Sequence, residues 1–169
     1  MSKPLGFGRL MRHLFATRAG ARRRFPPAVL DEIEAAIHEV EGRHSGEIRF
    51  VVETSLDIDE LVAGVTPRDR ALEVFSLLRV WDTEANNGVL IYVLLADHDV
   101  EILADRGISS RVPHEEWETI CHEIEAHYRE GRFAQGSVAG IRSVGRLLAR
   151  HFPGAGPDAN ELPNQPVLL

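Results

Sequence analysis

Two apolar runs separated by a short polar break lie in the middle of the chain. Residues 89–96 are eight consecutive apolar residues, rich in β-branched types, which is typical of a strand buried on both faces. Residues 100–105 are of mixed polarity, and the polar residues 97–99 separate the two runs. The pattern predicts a hairpin whose second strand lies antiparallel to a central strand. The hairpin would bring Asp105 back to Asn86, so that polar residues meet at one end of the sheet.

The residues flanking the hairpin alternate between strand and helical periodicity. Residues 47–54 predict a strand, and Thr66 with Pro67 begins a helix that precedes the hairpin. Because strand–helix–strand connections are right-handed, the strand at Glu47 should lie parallel to the central strand. Further helices are predicted from Pro27, from about residue 114 to 130 and from about residue 137 to 151. The fold class expected is α/β, with a small mixed sheet and a central β-hairpin.

The 169 residues fit a single domain with two flanking segments. The domain is predicted to span residues 27–152, after prolines that break the chain. Residues 1–26 form a basic amphipathic arm. Residues 153–169 are rich in proline, glycine and asparagine, and we expect this tail to be disordered.

Charge is distributed unevenly along the chain. The formal net charge is −7, yet residues 1–24 carry seven basic residues and no acidic one. A basic arm therefore precedes an acidic domain. The candidate binding residues are the arginines of the arm and one arginine beyond the hairpin: Arg9, Arg12, Arg18, Arg22, Arg23, Arg24 and Arg106.

The arm has the spacing of an amphipathic helix, with Phe7, Leu10, Met11, Leu14 and Phe15 three and four residues apart. Basic amphipathic helices lie on anionic membrane surfaces or bind protein partners. The alternative is that the apolar stripe packs on the chain's own domain. Nucleic acid is disfavoured as a partner because the acidic domain would repel phosphates and no recognition motif is present.

The composition favours a cytoplasmic protein, peripheral to the membrane if the arm binds one. No apolar run approaches the roughly 20 residues that span a bilayer, and the basic start lacks the apolar core of a signal peptide. The single cysteine, Cys121, excludes an intramolecular disulfide and a cysteine-based zinc site. The sequence leaves the oligomeric state open.

Oxygen-bearing residues should cluster at the end of the sheet where the hairpin strands begin and end. Glu47, Asn86, Asn87 and Asp105 could offer Ca²⁺ or Mg²⁺ the carboxylate and amide oxygens that these cations prefer. Turn formation alone also explains such residues, and Arg106 could neutralise a carboxylate without any ligand. The four residues are the candidate metal site.

Two other groups of polar residues are weaker candidates for a ligand or metal site. Asp97, His98 and Asp99 follow the central strand, but aspartates are common in turns. His114, Glu118 and His122 share one face of a predicted helix, as residues on solvated helix surfaces often do. Neither group is assigned a function.

The chain resembles the TPM domain family, also called the TPM phosphatase family, over about residues 27–152. The resemblance depends on the order and spacing of four segments: SGEIRFVVE, RALEVFSLLRVW, NNGVLIYVLLADHDVEILADRGI and REGRFAQGSVAGI. It implies a three-layer α/β/α sandwich. Members of the family include thylakoid proteins linked to photosystem repair, bacterial envelope proteins and proteins described as divalent-metal-dependent acid phosphatases.

The sequence departs from the family pattern at the expected site. Asn86 stands where members usually have aspartate, Leu103 where an acid is usual, and residues 105–109 where Gly-x-Gly-Leu-Glu is usual. Arg106 adds a positive charge that disfavours a divalent cation. On this resemblance, we expect a short cytosolic branch of the family, with the arm in place of the signal peptide and without the membrane anchor that is common in the family.

These observations predict a non-catalytic module that binds a membrane surface or a membrane-associated protein through its arm, and no catalytic residue is assigned. The alternative is a divalent-metal-dependent phosphatase with a degenerate site, in which Glu47, Asn86 and Asp105 would hold the cation. A third interpretation is structural, with the arm completing a dimer.

Overall fold

The computed structural model describes residues 6–154 and 160–169. Four strands and eight α-helices are found within these ranges. The helices are α1 (Phe7–Phe15), α2 (Arg18–Arg24), α3 (Pro27–Glu41), α4 (Ile58–Val62), α5 (Pro67–Leu77), α6 (Arg106–Ser109), α7 (His114–Arg129) and α8 (Phe133–His151). The strands are β1 (Glu47–Glu53), β2 (Gly88–Leu94), β3 (Asp99–Ala104) and β4 (Val167–Leu168).

The sheet is mixed and has the strand order β3-β2-β1-β4. β1 pairs parallel with β2, so that Glu47 is opposite Gly88, and β3 pairs antiparallel with β2, so that Ala104 is opposite Val89. A one-turn 3-10 helix at Leu95–Asp97 joins the two hairpin strands. The α/β class, the central hairpin and the parallel pairing of β1 with β2 are confirmed.

Alternation along the strands divides the core into two layers, one on each face of the sheet. Phe50 and Ile91 lie in the cluster covered by α3, α7 and α8. Val51 and Tyr92 lie in the opposite cluster, against α4 and α5. Because successive residues of a strand face opposite sides, a strand buried on both faces must be apolar at nearly every position, as β2 is. The three-layer α/β/α sandwich follows from this arrangement.

Helix α8 begins at Phe133 rather than near residue 137. Gly136 lies inside the helix, where an added Cβ would come within 2.7 Å of the His127 Cβ. Glycine is a poor helix former in isolation, but here it allows α8 to approach α7 closely. Packing between the two helices therefore offsets the low helical propensity of the first turn.

The prediction of a disordered tail over residues 153–169 is wrong for residues 160–169. β4 extends the sheet beside β1, pairing Val167 with Val51, and the Leu162 side chain is buried in the second core cluster. Residues 155–159 of that tail lie outside the described part of the chain. A proline-rich composition suggested disorder, but prolines are also compatible with an edge strand.

Candidate functional site

Helix α1 attaches to the domain through its polar side. The Arg9 guanidinium donates to Val65 O at 2.8 Å and forms an ion pair with Asp97, also at 2.8 Å. The Arg12 Nε donates to Ala96 O at 3.0 Å. Asp97 lies in the turn after the central strand, so this turn is the docking point for α1.

His13 is the buried member of the same contact. Its Nδ1 accepts a hydrogen bond from the Leu56 N–H at 3.0 Å, and its Nε2 lies 3.0 Å from Asp97 Oδ1. Because Nδ1 is an acceptor, the imidazole proton belongs on Nε2, facing the carboxylate. Burial alone would raise the pKa of Asp97, but contacts with Arg9 and His13 hold it below the usual value. Arg12 Nη2 also lies 3.6 Å from Asp97 Oδ1, so Asp97 is an ionised anchor for three side chains of α1.

The apolar side of α1 consequently faces solvent. Phe7, Leu14 and Phe15 are 78%, 51% and 74% exposed, respectively, whereas Leu10 is partly buried against the second core cluster. Monomeric proteins rarely leave neighbouring large apolar side chains in water, and such patches usually mark interaction sites. Phe7, Leu14 and Phe15 of the expected apolar stripe therefore point away from the domain, whereas Leu10 contacts it.

Helix α4 carries further exposed apolar residues. α1 bonds to Leu56, just before α4, and to Val65, just after it, so the segment that contains α4 is tied to α1 at both of its ends. Ile58 and Val62 of α4 are also exposed. The exposed apolar residues of the two helices are called the α1–α4 surface: Phe7, Leu14, Phe15, Ile58 and Val62.

The arginines of the arm divide into two groups. Arg9 and Arg12 form ion pairs with Asp97, at 2.8 and 3.6 Å respectively, and Arg24 lies over the Phe133 ring at 5.6 Å from its centroid. Arg18, Arg22 and Arg23 are exposed. Within residues 6–154 and 160–169, the structure shows no ion pair for these three, which leaves them available to an external anion.

The predicted oxygen-bearing residues do meet at the opposite end of the sheet. Asp105 N donates to Gly88 O at 2.9 Å, and Glu47 N donates to Asn87 O at 3.0 Å. Asn86 adopts a left-handed conformation with φ 51°, which asparagine tolerates, and its carbonyl accepts from the Gly107 N–H at 3.0 Å. Exposed Arg106 lies beside this cluster, a strand length away from the arm.

The side chains of this cluster are already partly committed to protein contacts. Asp105 Oδ1 accepts from the Arg106 N–H at 2.7 Å and caps α6, the Asn87 amide donates to Ser45 O, and Glu47 Oε2 accepts from the Leu162 N–H at 3.4 Å. Burial raises the pKa of Glu47, which weakens it as an anionic ligand.

Two oxygens at this end nevertheless have no hydrogen-bond partner. Asn87 Oδ1 and Asp105 Oδ2 are buried and unpaired. In the part of the chain that the structure describes, no three His, Cys, Asp or Glu residues are grouped so as to hold a metal ion. Carboxylate ligands for Ca²⁺ or Mg²⁺ are therefore fewer than three at this end of the sheet, and any further ligands would be amide or carbonyl oxygens.

The weaker candidates fit ordinary structural roles. His114 lies 3.4 Å from Glu118 on an exposed helix face, where both side chains are more than half exposed. Burial raises the pKa of the Cys121 thiol to about 12, so that cysteine is not a nucleophile at neutral pH.

A buried network that the sequence did not reveal closes the carboxyl end of β1. The Tyr92 hydroxyl donates to Glu53 at 2.5 Å, and Arg70 holds the same carboxylate through two nitrogens, with its Nη2 at 2.8 Å from Oε1. Burial and the neighbouring carboxylate raise the pKa of Tyr92. The sequence shows only that a charged residue, Glu53, ends the apolar strand β1. This does not identify Arg70 as the partner of Glu53.

Comparisons with known proteins agree with this fold. The family model of the TPM domain matches residues 23–147. The NMR structure of BA42 from the psychrophilic bacterium Bizionia argentinensis is 36% identical in sequence, with a TM-score of 0.73 over 84% of this chain and 93% of that one. A search of curated proteins finds no match.

Two more distant solution structures share the fold alone. The N-terminal domain of a protein from P. gingivalis is 22% identical, with a TM-score of 0.59, and the match covers 75% of this chain and 77% of that one. The N-terminal domain of cg2496 from Corynebacterium glutamicum is 14% identical, with a TM-score of 0.54, covering 80% and 81%. No helix in residues 6–154 or 160–169 is long and apolar enough to cross a bilayer.

Proposed function

The chain belongs to the TPM domain family, and we propose that it is a non-catalytic, cytoplasmic binding module that attaches to anionic membrane surfaces through α1 and α2. The observation that carries this proposal is the orientation of α1. Its polar side is fixed to Asp97, and Phe7, Leu14 and Phe15 are left exposed. An amphipathic helix of this kind matches the interface between lipid headgroups and acyl chains.

Docking on Asp97 would also lower the entropic cost of binding. A free amphipathic peptide must fold when it reaches the membrane, whereas α1 is already helical and held by Arg9 and His13. Preorganisation of this kind improves affinity without adding contacts. Full burial of a phenylalanine or leucine side chain contributes roughly 1.5–3 kcal/mol, so Phe7, Leu14 and Phe15 supply most of the binding energy.

The exposed arginines would direct the surface toward anionic lipids. Arg18, Arg22 and Arg23 follow α1 directly along the chain, and each basic residue near an anionic surface contributes about 1 kcal/mol at physiological ionic strength. The acidic remainder of the chain would be repelled by the same lipids. This asymmetry favours an orientation in which the arm faces the membrane and the domain faces water.

Cosedimentation with vesicles tests the proposal in the full chain. Wild type should bind vesicles that contain phosphatidylglycerol, and Phe7→Ser with Phe15→Ser should reduce binding at least tenfold. The matched control is Leu72→Ser with Leu77→Ser, which removes two exposed leucines of α5 and should leave binding unchanged.

Lipid composition and salt separate the outcomes of this experiment. Binding should fall as salt rises, because salt screens the arginine contribution. Binding should also be weak on phosphatidylcholine vesicles, because these lipids carry no net charge for the arginines to bind. The proposal would be contradicted if the control variant lost as much vesicle binding as the Phe7→Ser, Phe15→Ser variant. It would also be contradicted if the latter variant bound vesicles as well as the wild type. If the wild type does not bind vesicles, the membrane proposal is wrong, and the α1–α4 surface would instead bind a protein partner.

The second candidate function is the divalent-metal-dependent phosphatase implied by the family resemblance. The unpaired Asn87 Oδ1 and Asp105 Oδ2 favour it, because buried oxygens without partners are unfavourable unless a ligand satisfies them. Hydrolysis of a generic phosphate ester with Mg²⁺, Ca²⁺ or Mn²⁺ should be lost in Asp105→Ala if this candidate is correct. Activity that is equal in wild type and variant would reject it.

A further inference from the structure

The outer edge of β1 is covered by residues 160–169 rather than by a full strand. β4 contributes only Val167 and Leu168 to the ladder, and Leu169 continues it through its N–H to Val52 O at 2.8 Å. Most of the edge of the seven-residue strand β1 therefore has no partner strand. Unpaired strand edges are templates for added strands unless something covers them.

Arg49 makes the central contact in this region. It lies in the middle of β1, is 8% exposed, and its Nη1 donates to the carbonyl oxygens of Pro163 and Gln165, the latter at 2.8 Å. In the described ranges, the Arg49 side chain makes hydrogen bonds only to these two carbonyls. A buried guanidinium is costly unless it is hydrogen-bonded, so the two carbonyls stabilise Arg49 where residues 160–169 cover it.

Most of the polar contacts to residues 160–169 involve backbone atoms of that segment. Besides the two carbonyls, Glu47 accepts from the Leu162 N–H at 3.4 Å, and the Leu169 carbonyl accepts from Thr54 N at 3.1 Å. Contacts to backbone atoms do not depend on the side chains of the bound segment, as is general when an extended peptide adds to a sheet edge.

Side-chain selection comes from two pockets. Leu162 is buried in the second core cluster, and Pro166, four residues later, is buried as well. Pro163 and Gln165 between them are exposed. Prolines restrict the segment to extended conformations and so lower the entropy lost on docking. The half-buried Asn164 side chain also hydrogen-bonds to Glu41. The occupant is thus defined as an aliphatic residue, an asparagine two residues later, a proline two residues after that, and then two aliphatic residues.

We infer that the β1 edge is a binding groove for extended peptides, filled intramolecularly by residues 160–169 and open to a partner protein's segment of the same pattern that displaces them. The donor on Arg49, the acceptor on Glu47 and the pockets for Leu162 and Pro166 form the groove. This inference is independent of membrane binding, because α1 and α2 make none of these contacts.

Fluorescence polarisation with a labelled peptide of sequence NELPNQPVLL tests the inference on the full chain. In Leu162→Asp the tethered segment loses its buried anchor, while the groove residues are unchanged. The tethered segment competes at a high effective concentration in the wild type, so the variant should bind the peptide at least tenfold more tightly. Leu77→Asp, an exposed position on α5, should behave like wild type.

Two further measurements identify the groove. Adding Arg49→Met to Leu162→Asp should weaken peptide binding at least tenfold, and a scrambled peptide should not bind. If Leu162→Asp retains cooperative unfolding but does not bind the peptide, the inference is wrong. Concentration-dependent dimerisation of the wild type that Leu162→Asp abolishes would overturn it in favour of a second copy as the occupant.

If Leu162→Asp fails to fold, the inference can be tested by NMR of the wild type with the same peptide. Millimolar peptide should displace the tethered segment and shift the amide signal of Leu169, which otherwise donates to Val52 O. An unchanged Leu169 signal under these conditions would also overturn the inference.

Discussion

Asp97 is the residue on which the attachment of α1 depends. Its carboxylate is nearly buried and receives Arg9, Arg12 and His13. A buried carboxylate of this kind stabilises the fold only while its partners remain, because each would otherwise be left desolvated and unpaired. From the sequence alone, the same aspartate was explained by its turn, since nothing along the chain links residues 97 and 9.

Replacing Asp97 with asparagine should destabilise the protein by about 2 kcal/mol at pH 7, the scale of a hydrogen bond to a charged group. The pKa of Asp97 is lowered in the folded state, so its contribution is present above the unfolded pKa near 4 and is lost as pH falls through the folded value. Urea unfolding of wild type and Asp97→Asn at pH 7 and pH 3 measures the destabilisation and its decrease at low pH. A difference between wild type and Asp97→Asn that stays the same at pH 3 would contradict the assignment.

Glu41 should give the opposite pH dependence. Burial raises its pKa to about 7, although the Ile48 N–H donates to it. The folded state therefore binds more protons than the unfolded state between about pH 4.5 and pH 7, and the stability should fall as pH rises through that window. In Glu41→Gln, which keeps the acceptor oxygen, the free energy of unfolding should change less between pH 5 and pH 8. An unaltered pH profile would show that Glu41 ionises normally.

At the scale of elements, the close approach of α8 to its neighbours depends on glycine. An added Cβ at Gly145 would lie 2.6 Å from the Val40 Cβ, which is branched and held against the backbone of α3. Gly145→Ala should therefore destabilise the protein by about 1–3 kcal/mol despite its higher helical propensity. Gly8→Ala in α1, where nothing lies within 4 Å, is the control and should be neutral or stabilising by up to about 1 kcal/mol. Thermal unfolding of both variants checks this difference.

The elements differ in how far the sequence determines them. β1, β2 and β3 could be predicted because burial on one or both faces requires a readable alternation of apolar residues. The direction of α1 could not be predicted, because an apolar stripe shows which residues share a side but not which side faces the domain. β4 cannot be predicted from periodicity because it has only two residues. The role of Arg49 depends on the carbonyls of Pro163 and Gln165, which are distant from it in the sequence.

At the scale of the whole molecule, the candidate sites lie at opposite ends of the sheet. The turn at Asp97 carries α1, whereas Asn87 and Asp105 lie at the other end, one strand length away. The hairpin predicted from the sequence places Asn86 near Asp105. The sequence does not show that the Glu47 carboxylate accepts a hydrogen bond from the Leu162 N–H. The arm and the oxygen cluster can thus be tested independently in one experiment.

The most direct test of the membrane proposal is NMR of the full chain with anionic bicelles that contain a paramagnetic lipid. If the α1–α4 surface enters the headgroup region, amide signals of Phe7, Leu14 and Phe15 should broaden most. Signals of Asn87 and Asp105 should broaden least, because they lie at the far end of the sheet. Broadening that is absent, or that is largest at Asn87 and Asp105, would contradict the proposal that α1 binds the membrane.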